Sequence, residues 1–238
     1  MSRTARAAQV LGIAAPVLTL VGVGLAQVGV PALVGFAIFA VAILVGLIAL
    51  VLGLIGLFLT RGDGGGRRQA FVGIAMGCLM VVLVLIGRAP GTGAPAINDI
   101  TTNLDDPPAF AAQGDRDMSF PPPMFSGSYT KAEYMDLIRN AYPDLEPIRR
   151  QASAEASYAA ALARAKEMGW TVTVEDPATG SFQAQDETAL FRFVDDISVR
   201  VRADGSGSVI DVRSKSRDGR GDIGANAARI RAFREGLQ

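Results

Sequence analysis

Residues 7–60 contain no Asp, Glu, Lys or Arg, a run of 54 positions. About 18 consecutive apolar residues already read as a transmembrane helix, and one crossing takes about 20. The run is too long for one span and fits two with a tight turn between them. The break falls at Gln27-Val28-Gly29-Val30-Pro31, where Gln, Gly and Pro interrupt the aliphatic sequence. Spans are expected at 8–27 and 32–59. The polar loop Arg61-Gly62-Asp63-Gly64-Gly65-Gly66-Arg67-Arg68 follows, then a third apolar run expected to span at 70–87. Residues 1–88 thus read as a membrane domain of three transmembrane helices. A cleavable signal peptide is the alternative for the first run, with Arg3 and Arg6 ahead of it and Gly24-Leu25-Ala26 loosely like a cleavage site. Pro16 and the two later spans argue against it. Cys78, the single cysteine, sits in the third run and is expected as a small packing residue. Gly73 and Gly77 have the small-xxx-small spacing that lets helices approach closely.

Arginines in short loops set the orientation. Arg3 and Arg6 precede the first span, and Arg61, Arg67 and Arg68 separate the second from the third. Both basic segments fall on one side of a three-span arrangement, which should be cytoplasmic. The third span then delivers everything after Arg88 to the periplasm or exterior. The expected location is the inner (plasma) membrane, multi-pass. No ionisable side chain other than Cys78 lies within a span, so no proton relay or ion pair is visible there. An anchor is favoured over a channel or transporter. A freely soluble chain is excluded by the charge-free run, a disulfide scaffold by the lone Cys, and a disordered chain by 50% hydrophobic residues.

Residues 89–100 are broken by Pro and Gly and read as a linker, and 96–238 read as a soluble domain. Its Pro-rich beginning, to about residue 152, should wrap over a sheet rather than form one, with a helix only at 129–141. A helix at 153–168, stopped by Gly169, precedes alternating residues from Trp170 to Val174, a turn at Asp176-Pro177-Ala178-Thr179-Gly180, and strands at 181–185 and 190–194. The clearest element is a hairpin around Gly205-Ser206 in which the numbers of paired residues sum to 411. Val201 then faces Ile210 and Val199 faces Val212 on the buried side, while Arg200 faces Asp211 and Ser198 faces Arg213 on the other. A final helix is expected from Asp222, capped by it, with Ile223, Ala227, Ile230, Phe233 and Leu237 as its apolar stripe. The fold class is an α-helical membrane part followed by an α+β domain with an antiparallel sheet and packed helices.

The chain has no His, which removes His-based triads, most zinc sites and imidazole shuttles. No Gly-rich phosphate loop occurs. The sequence assigns no catalytic residue, metal or cofactor, and points away from an enzyme. Asp195-Asp196 and Asp105-Asp106 are adjacent carboxylates, but neighbours on a strand point to opposite faces, and solvation or capping is the simpler reading. Charge is polarised. Residues 96–199 hold 8 basic and 17 acidic side chains, and residues 200–234 hold 9 and 4. On a continuing strand Arg213, Lys215 and Arg217 share one face, and Ser214 and Ser216 the other, ahead of a helix start at Asp222 and Asn226. Arginines, hydroxyls and free amides together can hold a phosphate or carboxylate. The competing reading pairs Arg200, Arg213 and Arg217 with acidic residues of the domain. Arg200, Arg213, Ser214, Ser216, Arg217, Asp222 and Asn226 are therefore a candidate anion-binding or structural motif, and Asp196 and Asp211 its candidate carboxylate partners. Nucleic acid is disfavoured, because the chain from Arg88 onward has 18 basic and 22 acidic residues.

Arg213-Ser214-Lys215-Ser216-Arg217, with Gly219, Asp222, Gly224, Asn226 and Arg229-Ile230, resembles the signature of the domain-of-unknown-function family 1499. So do Asn98-Asp99-Ile100-Thr101-Thr102-Asn103 with Pro107-Pro108-Ala109-Phe110, Phe193-Val194-Asp195-Asp196, and Gly169-Trp170. Lys215 and Asp218 depart from the family's usual residues without removing an arginine or a glycine. The resemblance covers most of residues 96–238 and implies a membrane-associated or envelope-located protein without assigned activity. It implies that Asp196, Arg213, Ser214, Ser216, Arg217, Asp222 and Asn226 belong to one arrangement. Three lysines against 20 arginines, with abundant Ala and Gly, suggest a bacterium with a GC-rich genome. The expected function is a binding or interaction module in the cell envelope. Its candidate partners are the lipid bilayer, an anionic lipid or metabolite, and an envelope protein. A ligand-free structural component, and then an enzyme acting on an envelope lipid or glycan, are the alternatives.

Overall fold

The computed structural model describes residues 2–60, 65–86, 95, 97–110, 129–218 and 221–237. The chain divides into two compact units, Met1–Arg88 with Thr188–Arg192, and Ala89–Glu187 with Phe193–Gln238.

The first unit holds α1 (Arg3–Gln27), α2 (Ala32–Leu59) and α3 (Arg67–Ile86), all long and apolar enough to cross a membrane. α1 begins five residues ahead of the expected start, because the Ser2 hydroxyl caps it by accepting from the Ala5 amide. Pro16 does not break it. Their buried residues are almost all Ala and Gly. The reason is backbone approach. A Cβ at Gly22 would lie 2.5 Å from the Gly35 carbonyl oxygen, one at Gly73 2.7 Å from Ala8 Cβ, and one at Gly77 2.6 Å from the Gly46 carbonyl oxygen. Small residues at these positions let the three helix backbones approach this closely. Gly73 and Gly77 pack as their spacing predicts. Cys78 does not: it is exposed on α3, because the packing stripe runs through Ala70, Gly73, Gly77 and Met80.

The second unit carries α4 (Lys131–Ala141), α5 (Ala154–Glu167) and α6 (Ala225–Glu235). Its strands are β1 (Asp99–Thr101), β2 (Ile148–Arg150), β3 (Thr171–Asp176), β4 (Ser181–Glu187), β5 (Val194–Asp204) and β6 (Gly207–Ser216). They form one antiparallel sheet ordered β1-β6-β5-β4-β3, with β2 also on the β6 edge. The β5–β6 hairpin has the expected register: Val201 faces Ile210, Arg200 Asp211, Val199 Val212 and Ser198 Arg213. Gly205, at φ +58, takes the first position of its two-residue turn, where a side chain would be strained. Capping residues set the helix starts. Thr130 and Glu133 form a reciprocal capping box on α4, and Ser153 caps α5. Ile197, Val199, Ile210 and Val212 bury against the α5 and α6 side of the sheet with Phe182, Ala161 and Ile230. Trp170 stacks on Phe233 at 5.1 Å between ring centroids.

Four expectations change. The Pro-rich segment does supply strands, β1 and β2, each only three residues long, which suffices at a sheet edge. It also wraps: Ala109 and Pro108 carbonyls accept from Ser198 and Arg213 across the sheet. Pro121-Pro122-Pro123 and residues 89–94 of the expected linker lie outside the described residues. Residues 190–194 are not a strand; β5 starts at Val194, and Thr188–Arg192 groups with the helical unit. α6 starts at Ala225, not Asp222, and Ile223 is exposed rather than part of its stripe.

Candidate functional site

The β5–β6 hairpin presents polar side chains on both faces, and the motif residues divide between them by strand parity. On the face opposite α5 and α6, Arg213 is 3% exposed, and Asp99 and Asp211 are fully buried. Arg213 Nε and Nη2 donate to the two Asp99 carboxylate oxygens at 2.9 and 2.8 Å, a bidentate pair. Lys215 Nζ lies 3.3 Å from the same carboxylate. The Arg213 guanidinium also stacks over Phe110, 4.8 Å from the ring centroid. Arg200 and Arg202 both donate to Asp211 Oδ2, at 2.8 and 2.7 Å, and Asn103 to Asp211 Oδ1. Arg200 also pairs with Asp106 at 2.9 Å. Arg217 grips Asp196 with two bonds of 2.9 and 2.7 Å, which raise its guanidinium pKa.

On the α6 face, Ser214 donates to Asn226 Oδ1 at 2.6 Å, and Asn226 Nδ2 donates to Ser216 at 3.0 Å. Arg229 completes this cluster. Its guanidinium donates to Asp195 at 2.6 Å, Asp186 at 2.8 Å, Ser214 at 3.0 Å and Asn226 at 2.6 Å. Asp195 and Asp196 do point to opposite faces, but both are buried and paired with arginine rather than solvated. Asp222 precedes α6 and accepts from the amides of Gly224 at 2.9 Å and Asn226 at 2.6 Å, so its carboxylate caps a helix that starts three residues later. Gly224 at φ +82 makes this offset cap possible. Burial pushes the Asp222 carboxyl pKa above its ordinary value, against the pull of the two amide bonds.

The motif residues thus fall into separate clusters: Arg200 with Asp211, Arg213 with Asp99 and Arg217 with Asp196 on one face, and Ser214, Ser216 and Asn226 with Arg229 on the other. Sequence reasoning did not select Asp99, Asp186 or Arg229 as site residues. Arg229 had a local signal, since Asn226 and Arg229 are three apart and share a helix face. Asp99 had none, being 114 positions from Arg213 in the chain.

A separate cleft of about 500 Å³ lies at the other end of the hairpin, between residues 102–105, the end of α4, residues 143–149 and the β5–β6 tip. Ile138, Leu145 and Val209 supply apolar lining, and Arg139, Arg149 and Arg202 supply cations, balanced by Asp105, Glu146 and Asp204. Arg139 pairs with Asp136 and Arg149 with Asp204, and all four side chains are more than half exposed. Tyr142 lines the same cleft and is 7% exposed; its hydroxyl has no hydrogen-bond partner among the described residues. Burial raises its pKa, and the Arg231 guanidinium lies 5.5 Å from its ring centroid.

The family profile described as "Protein of unknown function (DUF1499)" matches residues 99–237. The chain belongs to this family. The match spans β1 through α6, so the DUF1499 domain contains the whole ion-pair network and the cleft. No curated protein matches the chain.

Proposed function

We propose that the protein is a membrane-anchored binding module of the cell envelope. Three helices hold it in the inner membrane with the N-terminus cytoplasmic and the DUF1499 domain outside. The anchor reading is supported by helix interfaces made of Gly and Ala, with no ionisable group buried among the described helical residues. Arg3 and Arg6 in the first turns of α1, Arg61 between α2 and α3, and Arg67 and Arg68 at the start of α3 support the orientation.

The cleft carries the binding reading. It joins an apolar lining and three arginines in a space of about 500 Å³, within the range of small-molecule sites. Arg139 and Arg149 hold only exposed ion pairs, which contribute about 0–1 kcal/mol each, so a ligand carboxylate or phosphate can displace their partners at little cost. The ligand class is a small molecule with one anionic group and an apolar body, such as an acidic lipid fragment or metabolite. The Arg213–Arg217 motif has a structural role in this reading, because its donors are spent on Asp99 and Asp196.

Native mass spectrometry of the full-length protein, purified gently from its own membrane, tests the site. The wild type is expected to carry an added mass. Arg139→Ala/Arg149→Ala is expected to lose it while Trp170 emission stays unchanged. A bare mass in both proteins, or the same added mass in both, overturns the cleft as the site and favours a ligand-free structural role.

A further inference from the structure

The β4–β5 connection holds a second apolar feature that the anchor and the cleft do not use. Thr188–Arg192 belongs to the helical unit. The Phe191 ring packs against two rings of α2, edge-on to Phe36 at 5.6 Å and tilted to Phe39 at 5.4 Å. Gln27, the last residue of α1, donates from Nε2 to the Ala189 and Leu190 carbonyl oxygens at 2.8 and 3.1 Å. The Arg192 amide donates to the Thr188 carbonyl at 2.9 Å and closes the loop, with Arg192 in the left-handed region at φ +59. Leu190 points outward and is 61% exposed, beside an α1–α2 turn that exposes Val28 at 78%.

The depth of this contact follows from helix length. α2 has 28 residues and is about 42 Å long at about 1.5 Å per residue. Centred on a hydrocarbon core of about 30 Å, it extends about 6 Å beyond each boundary. Phe36 lies four residues after the first residue of α2, about 6 Å along the axis, and therefore at that boundary. Phe191 meets it there. At this depth, backbone carbonyls without donors are costly, and the Gln27 amide satisfies two of them.

We propose that the β4–β5 loop is an interfacial membrane element, with Leu190 inserted among lipid chains at the headgroup boundary. The occupant is lipid because the loop continues the exposed apolar surface at the start of α2 (Leu33, Val34, Phe36), which runs up to the hydrocarbon boundary at Phe36 and leaves apolar side chains in the interfacial layer. This rests on the membrane reading of the helices and is independent of the cleft.

The test uses the full-length chain in vesicles of phosphatidylethanolamine and phosphatidylglycerol. An environment-sensitive dye is placed at Leu190→Cys in a Cys78→Ser background, and on Cys78 of the wild type as a span reference. Trp170 emission checks that each protein is folded. Nitroxide carried on the lipid near the headgroup is expected to quench the Leu190→Cys label about twofold, with blue-shifted emission, as for a side chain within about 5–10 Å of the interface. Aqueous iodide is expected to leave it almost unquenched. Iodide quenching without lipid quenching overturns the proposal, as does a label quenched by neither, which would place a protein surface over Leu190. Failure of the Cys78 label, near the middle of α3, to be quenched by a nitroxide placed deep on the lipid acyl chain would instead indict the membrane reading of the helices.

Discussion

Arg213→Ala is expected to lower the stability of the DUF1499 domain by about 3–5 kcal/mol, the usual cost of removing one partner from a buried ion pair. Asp99 is fully buried and would keep only Lys215, at 3.3 Å, as a charged partner. The Pro108 carbonyl and the Phe110 ring would lose their contacts with the guanidinium as well. Domains of this size have about 5–15 kcal/mol in total, so much of the folded population is at risk. Denaturant titration of the full-length protein in mild detergent, followed by emission of Trp170, reads this directly. Arg213→Lys should recover only part of the loss, because an ammonium cannot make the bidentate contact. A variant that folds with wild-type stability would show that Arg213 is not a keystone and would reopen it as a ligand group.

Arg229→Ala is expected to cost about as much, roughly 3–5 kcal/mol, through the opposite face. Arg229 is 8% exposed and bonds Asp195, Asp186, Ser214 and Asn226 at once. Its loss leaves the Asp195 carboxylate 6% exposed with its arginine gone and frees an Asn226 oxygen of one donor. The two clusters share β5 and β6, so the losses should not add in Arg213→Ala/Arg229→Ala. Arg149→Ala is the contrasting case. Its pair with Asp204 is exposed, and the expected change is about 0–1 kcal/mol. If Arg149→Ala destabilised as much as Arg213→Ala, the cleft rim would be structural and the binding reading would lose its support.

The hairpin register was readable because two independent patterns agree. Slipping β5 by one residue against β6 would bury Arg200 and expose Val199, and no turn chemistry at Gly205-Ser206 supports that. The three apolar helices were readable because no charge interrupts them. What failed has physical causes as well. Ala189-Leu190-Phe191 looks like strand because alternation records that a residue is apolar, not which surface covers it. Phe191 is covered by Phe36 and Phe39 of α2, and no local pattern encodes that. Its small size suggests a packing role for Cys78, but helix phase places it off the Gly73–Gly77 stripe. The start of α6 was misplaced because Asp222 caps from outside the helix, across Ile223 and Gly224, both at positive φ. Asp211 and Asp196, legible from the sequence, pair with Arg200 and Arg217, whereas Asp99 and Arg229 are not legible as partners. A strand's parity says which side chains share a face, whereas Asp99 reaches Arg213 only after the chain has folded back over the sheet.

Binding at the cleft depends on the DUF1499 domain lying outside the cytoplasm, where envelope lipids and metabolites can reach it. The most direct measurement is a pair of reporters fused in turn to the C-terminus of the full-length chain, one active only outside the cytoplasm and one only inside it. The first is expected to be active and the second silent. The reverse pattern would contradict the three-span orientation, place the cleft in the cytoplasm, and remove the envelope from the account.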